Sequence, residues 1–150
     1  MMYFDDFPVG YRFETGTRTL PLNDIMSFAR DWDPQPFHID PDAAEKSTYG
    51  GIIASGFQTI LIGFLLSYQT GLWSGASMGS PGMDSIRWLH PVRPGDSLRV
   101  EAEVIASTPS ASRPDRGRIL VRNQVFNQND VCVAEFTGTH ILKRQVLPSG

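Results

Sequence analysis

The sequence predicts an α+β domain in which an antiparallel sheet of about five strands wraps around one long buried helix. Three observations carry this. Leu98, Val100, Ala102 and Val104 alternate with Arg99, Glu101 and Glu103, the period of two expected of a half-buried strand. Two further strand-like runs, Ile119 to Phe126 and Val131 to Leu142, follow in succession, and consecutive strands joined by turns pair antiparallel. Ahead of them, Ser55 to Gln69 carries Phe57, Ile60, Leu61, Ile62, Phe64, Leu65 and Leu66 on nearly every face. A helix of that kind is buried on all sides.

The remaining elements follow in chain order. Tyr11 to Leu20 alternates aromatic, charged and Thr residues, which suits a strand. Asn23 is a candidate cap for a helix starting at Asp24, with Ile25, Met26, Phe28 and Ala29 on its apolar face. That helix should stop near Asp33, because Pro34 biases the preceding residue away from the α region. Asp40 before Pro41 has the form of an N-cap with proline at the first helical position, opening a short helix through Lys46. Ile86 and Trp88 alternate with Arg87 and Leu89, and Pro94-Gly95-Asp96 then makes a turn. Ser107 to Gly117, rich in Ser, Pro and Arg, reads as a long loop. Asn127 to Asp130 reads as the turn between the last two strands.

A length of 150 residues, 41% of them hydrophobic and 19% charged, is that of one ordinary globular domain spanning residues 1–150. The formal charge of -3, without any block of like charges, argues against nucleic acid or an anionic membrane as the main partner. Cys132 is the sole cysteine, so neither an intramolecular disulfide nor a cysteine zinc cage is available. The acidic N-terminus lacks the apolar run of a signal peptide, and Phe57 to Tyr68 is too short and too interrupted to span a bilayer. A cytoplasmic setting is the expectation. No metal is expected either, because His38, His90 and His140 are far apart and show no ligand spacing.

The chemistry-bearing segment is Asp31-Trp32-Asp33-Pro34-Gln35-Pro36-Phe37-His38-Ile39-Asp40-Pro41. Its prolines restrict Asp33 and Gln35 to extended conformations. A stiff loop carrying a carboxylate and an imidazole can preorganise an acid–base pair, although the same residues also serve as ordinary caps and surface groups. Asp40 is explained by capping. Further on, Gly56 stands at the start of the central helix, where a bare N–H and the helix dipole would stabilise a developing oxyanion. The alternative is that the glycines there only let the chain approach the sheet. Ser55 lacks the Gly-x-Ser-x-Gly context of a nucleophile.

Trp32-Asp33-Pro34-Gln35-Pro36-Phe37-His38 resembles the Gly-Asp-x-Asn-Pro-φ-His signature (φ apolar) of the MaoC-like dehydratases and R-specific enoyl-CoA hydratases. Ile53-Ala54-Ser55-Gly56-Phe57 and Ile86-Arg87-Trp88-Leu89-His90-Pro91-Val92-Arg93-Pro94-Gly95-Asp96 are similar to two later blocks of that family, in the same order. The resemblance implies the hot-dog fold and the interconversion of 2-enoyl-CoA and (R)-3-hydroxyacyl-CoA, with no cofactor besides the CoA of the substrate. It assigns Asp33 and His38 as the catalytic pair that activates water, and Gly56 as the oxyanion donor. Ser55, Phe57, Arg87 and Arg93 are then candidate substrate or CoA contacts, and Arg113, Arg116 and Arg118 a weaker cluster. The chain departs from the signature at Trp32, where it has glycine and where an indole would narrow the acyl pocket, and at Gln35, where it has asparagine. The resemblance also implies a homodimer, with higher assembly open. Two other activities fit the fold: a thioesterase and a non-catalytic acyl-CoA binder. The helix from Phe57 to Tyr68 has no Asp or Glu, which favours hydration over thioester hydrolysis.

Overall fold

The computed structural model describes residues 1–145. After a single 3-10 turn at Phe4–Asp6, the chain runs through β1 (Arg12–Glu14), β2 (Arg18–Thr19), α1 (Leu22–Trp32), α2 (Pro36–Ile39), α3 (Pro41–Glu45) and α4 (Gly56–Gln69). The second half is β3 (Met83–Trp88), β4 (Ser97–Pro109), β5 (Arg116–Phe126) and β6 (Cys132–Lys143). All strand pairings are antiparallel, in the order β1-β4-β5-β6-β3, with β2 paired to β4 beside this path. The sheet curls around α4, the α+β arrangement the sequence predicts.

The alternation read from β4 is the alternation observed. Leu98, Val100, Ala102 and Val104 are buried while Arg99, Glu101 and Glu103 lie outward of them. Ile119, Val121 and Val125 of β5 and Val133, Ala134 and Phe136 of β6 belong to the same buried core. Asp40 caps α3 as expected, its carboxylate accepting from the N–H groups of Asp42 and Ala43.

Four expectations need correction. Tyr11 to Leu20 is not one strand but two short ones. Between them the Thr15 hydroxyl, rather than a backbone carbonyl, accepts the N–H of Val100 at 2.9 Å. Asn23 does not cap α1; the helix begins at Leu22 and the carbonyl of Pro21 accepts from Asp24 and Ile25. The Ser107 to Gly117 loop shrinks to residues 110–115, because Ser107, Thr108 and Pro109 pair with Ile119, Arg118 and Gly117. Proline is tolerated there because it ends the strand, where a missing donor costs little.

The last correction concerns α4. Its 14 residues bury Gln58, Thr59, Ile60, Ile62, Gly63, Leu66 and Ser67. Phe57, Leu61, Phe64 and Tyr68, spaced three or four residues apart, are 59%, 54%, 40% and 47% exposed. The helix is apolar all round as the sequence says, but one sheet can wrap only one side of it. No helix among the described residues is long and apolar enough to cross a membrane.

Candidate active site

Asp33 follows the last turn of α1, its N–H still bonded to the carbonyl of Ala29 at 2.9 Å. Pro34 then forces the chain to leave the helix, and Pro36 opens the single turn of α2 at its first position. That turn swings His38 back beside Asp33. The Nε2 atom of His38 lies 3.2 Å from Oδ2 of Asp33. His38 is only 4% exposed, held from behind by Nδ1 at 2.7 Å from the carbonyl oxygen of Ile53. A carbonyl only accepts, so Nδ1 carries the hydrogen and Nε2 is the atom presented to Asp33.

The carboxylate is as tightly specified. Gln35 Nε2 donates to Oδ1 at 2.7 Å and Ser55 Oγ donates to Oδ2 at 2.7 Å. Burial pushes the Asp33 carboxyl up. The hydrogen bonds from Gln35 and Ser55 and the charge of His38 outweigh it, so its pKa stays below the ordinary 3.8.

Ser55 is the residue before α4, and its hydroxyl is spent on Asp33 instead of capping the helix. The first N–H groups of α4, beginning with Gly56, therefore have no side-chain cap, and no acidic residue sits in that first turn. Gly56 is required by its surroundings: a Cβ there would stand 2.3 Å from Nε1 and 2.4 Å from Cε2 of Trp88. Several atoms of the indole at nearly equal, short distances mean that the ring lies flat over the glycine. Of the two readings of Gly56 left open by the sequence, the close approach is the one observed, and the glycine packs against Trp88 of the sheet.

Asp33, His38 and Gly56 line one cavity of about 490 Å³. Its apolar wall includes Phe37, Ile53, Phe57, Leu89 and Val133, with Tyr49, Thr59 and His90 as additional polar groups. Phe57 meets Trp88 edge to face at 5.5 Å. Of the candidate substrate contacts, Phe57 lines the cavity, whereas Ser55 is 0% exposed and touches Asp33. Arg93 and Arg87 stand outside its wall. The guanidinium of Arg93 lies against Gly51, 3.6 Å from where a Cβ would be, and Arg87 on the edge strand β3 bonds the carbonyl of Ile86. Arg116 of the weaker cluster pairs with its neighbour Asp115 at 2.9 Å. Trp32 does not narrow the pocket: it is 75% exposed on the outer face of α1. Gln35, by contrast, keeps an amide donor on Asp33 despite its extra length.

Residues 7–122 match the family model described as the MaoC like domain. The chain belongs to the MaoC-like family. It is 34% identical over 143 residues to the uncharacterized protein YdeM of Bacillus subtilis, covering 95% of this chain and all of that one. Among solved structures, the MaoC-like dehydratase from Rhodospirillum rubrum superposes with a TM-score of 0.90 at 36% identity, over 98% of this chain and 100% of that one. The R-hydratase PhaJ1 from Pseudomonas aeruginosa, in its unliganded form, gives a TM-score of 0.69 at 25% identity, over 99% of this chain and 93% of its own. These matches place the fold as hot-dog and the family as one of hydratases and dehydratases. Thr59 and Trp88 went unnoticed as site residues in the sequence. For Thr59 a signal was present, since it stands four residues after Ser55 and so on the same helical face.

Proposed function

We propose that this protein hydrates and dehydrates acyl-CoA thioesters, interconverting 2-enoyl-CoA and (R)-3-hydroxyacyl-CoA. The observation that carries the reading is the Asp33–His38 pair, 3.2 Å apart, on the wall of the cavity that Gly56 also lines. With Nδ1 turned to the Ile53 carbonyl, Nε2 of His38 and the Asp33 carboxylate stand side by side as the two groups that can accept from a water. A water molecule can donate one hydrogen to each, which turns its oxygen lone pair toward the cavity. The thioester carbonyl accepts from the Gly56 N–H, so electron density drawn onto its oxygen leaves the β carbon electrophilic. Water oxygen bonds to that carbon, the carbon–carbon π pair moves to form the enolate, and a proton passes to the α carbon. The pair takes one proton and returns one. Because the two groups are coupled, the titration belongs to the pair.

Ser55 and Gln35 hold the carboxylate in place and in its charged form. The first turn of α4 offers no carboxylate that would direct water at the thioester carbonyl, which supports hydration over hydrolysis. The R outcome rests on the likeness to the family. The working form is proposed to be a homodimer. The exposed stripe of Phe57, Leu61, Phe64 and Tyr68 and the unpaired edge of β3 are surfaces that a second copy would cover. A sedimentation mass of one chain would contradict that assembly.

The reaction is tested with crotonyl-CoA and the wild type beside Asp33→Asn, followed by chiral analysis of the product. The wild type should form (R)-3-hydroxybutyryl-CoA, and the variant should lose about 10²–10⁴-fold in turnover. Equal turnover by the two proteins would remove Asp33 from the mechanism.

A further inference from the structure

We propose that Thr59 recognises a hydroxyl group on the γ carbon of the acyl chain, so that the preferred substrate is an oxygenated enoyl thioester and not a plain hydrocarbon one; this deepens the hydration reading and rests on it. Thr59 is 2% exposed, on the side of α4 that also buries Ile60 and Ile62. A threonine buried in a helix commonly turns its hydroxyl back onto the carbonyl four residues earlier. Here the carbonyl of Ser55 accepts the N–H of Thr59 at 3.2 Å, and the hydroxyl makes no hydrogen bond among the described residues. Nor is it sealed away. The buried side-chain atoms shut off without a partner are Gln58 Oε1 and Arg99 Nη1. The Thr59 hydroxyl is therefore a polar group without a protein partner among the described residues, on a residue that lines the cavity.

Thr59 shares the cavity wall with Asp33, His38 and Gly56. Thr59 lies three residues after Gly56, a rise of about 4.5 Å along the helix on an adjoining face. A carbonyl oxygen held on the Gly56 N–H, with the β carbon directed to Asp33 and His38, sends the next carbon of the chain along α4 toward Thr59. The hydroxyl there both donates and accepts. A hydrocarbon chain would displace water from it and leave it unpaired, the situation by which a hydrogen-bonding site rejects an analogue lacking the group.

The test uses two substrates that differ only in a hydroxyl for a methyl group, (E)-4-hydroxybut-2-enoyl-CoA and (E)-pent-2-enoyl-CoA. Wild type, Thr59→Val, Thr59→Ala and Thr59→Ser are compared by kcat/KM on each. The wild type should favour the hydroxylated substrate by roughly tenfold or more. Thr59→Val should bring the ratio close to one, and Thr59→Ser should keep it; Thr59→Ala replaces the valine variant if that fails to fold. A wild type that treats both alike or favours the pentenoyl thioester overturns the proposal, as does a ratio unmoved by loss of the hydroxyl. In those cases hydration itself still stands. Hydration of neither substrate by the wild type would instead remove the hydration reading, and the role of Thr59 with it.

Discussion

Two imidazoles of this protein are set into its interior, and they differ in every respect that chemistry needs. His38 sits on the one-turn helix α2 between prolines and capping groups, with Nδ1 fixed by Ile53 and Nε2 facing the carboxylate of Asp33. His140 sits in mid-strand on β6, its ring 4.9 Å from that of Trp73, and it borders a void of only about 50 Å³. Burial holds the pKa of His140 below its ordinary 6.5. Burial by itself, then, makes a packed aromatic surface. A histidine becomes an acid–base group when its far nitrogen is pinned, its near nitrogen has an ionised partner, and both face a space large enough for a ligand.

The comparison breaks most easily at His38. Replacing it with Gln keeps a polar side chain of similar reach but removes the proton-transfer group, and kcat on crotonyl-CoA should fall about 10²–10⁴-fold. A variant within a factor of a few of the wild type would make His38 as structural as His140. Next in size is Ser55→Ala. It removes one hydrogen bond to a charged acceptor, commonly about 1.5–3 kcal/mol. Since that bond lowers the Asp33 pKa, its loss should move the acid limb of the kcat/KM profile to higher pH. An unshifted limb would deny Ser55 any hold on the carboxylate.

The smallest effect belongs to His140→Gln, for which turnover should stay within about twofold of wild type, as expected away from the reacting groups. Its signature is in stability. A histidine whose folded pKa is lowered binds fewer protons folded than unfolded, so it destabilises the fold as pH falls below 6.5. The variant should lack that portion of the pH dependence in denaturant titrations. Asp33 has the opposite sign: its lowered folded pKa adds stability above the ordinary value of 3.8, which is lost as pH falls through the lower folded value.

These contrasts also mark how far the sequence could be read. The sheet was legible because β4 alternates without interruption, and α3 because Asp40-Pro41 is a local capping signal. Asp33 and His38 were picked out by their resemblance to the family signature; the prolines by themselves said only that the loop carrying them is stiff. What stayed hidden depends on contacts between distant segments. Nothing local to Trp88 says that its indole will lie flat on Gly56, and nothing local to Ser55 says that its hydroxyl will leave its own helix for Asp33, 22 residues earlier. The apolar surround of α4 misled for a related reason. It reports that every face is apolar, but not that one sheet buries only one side and leaves Phe57, Leu61, Phe64 and Tyr68 exposed.

The most direct test of the central claim is to mix wild-type protein with crotonyl-CoA and follow two signals together, the absorbance of the conjugated thioester and the release of free thiol. If Asp33 and His38 add water across the double bond, the absorbance falls while thiol stays at background. Thiol appearing in step with the lost absorbance would mean that water attacks the carbonyl instead, and the account of this site would be wrong.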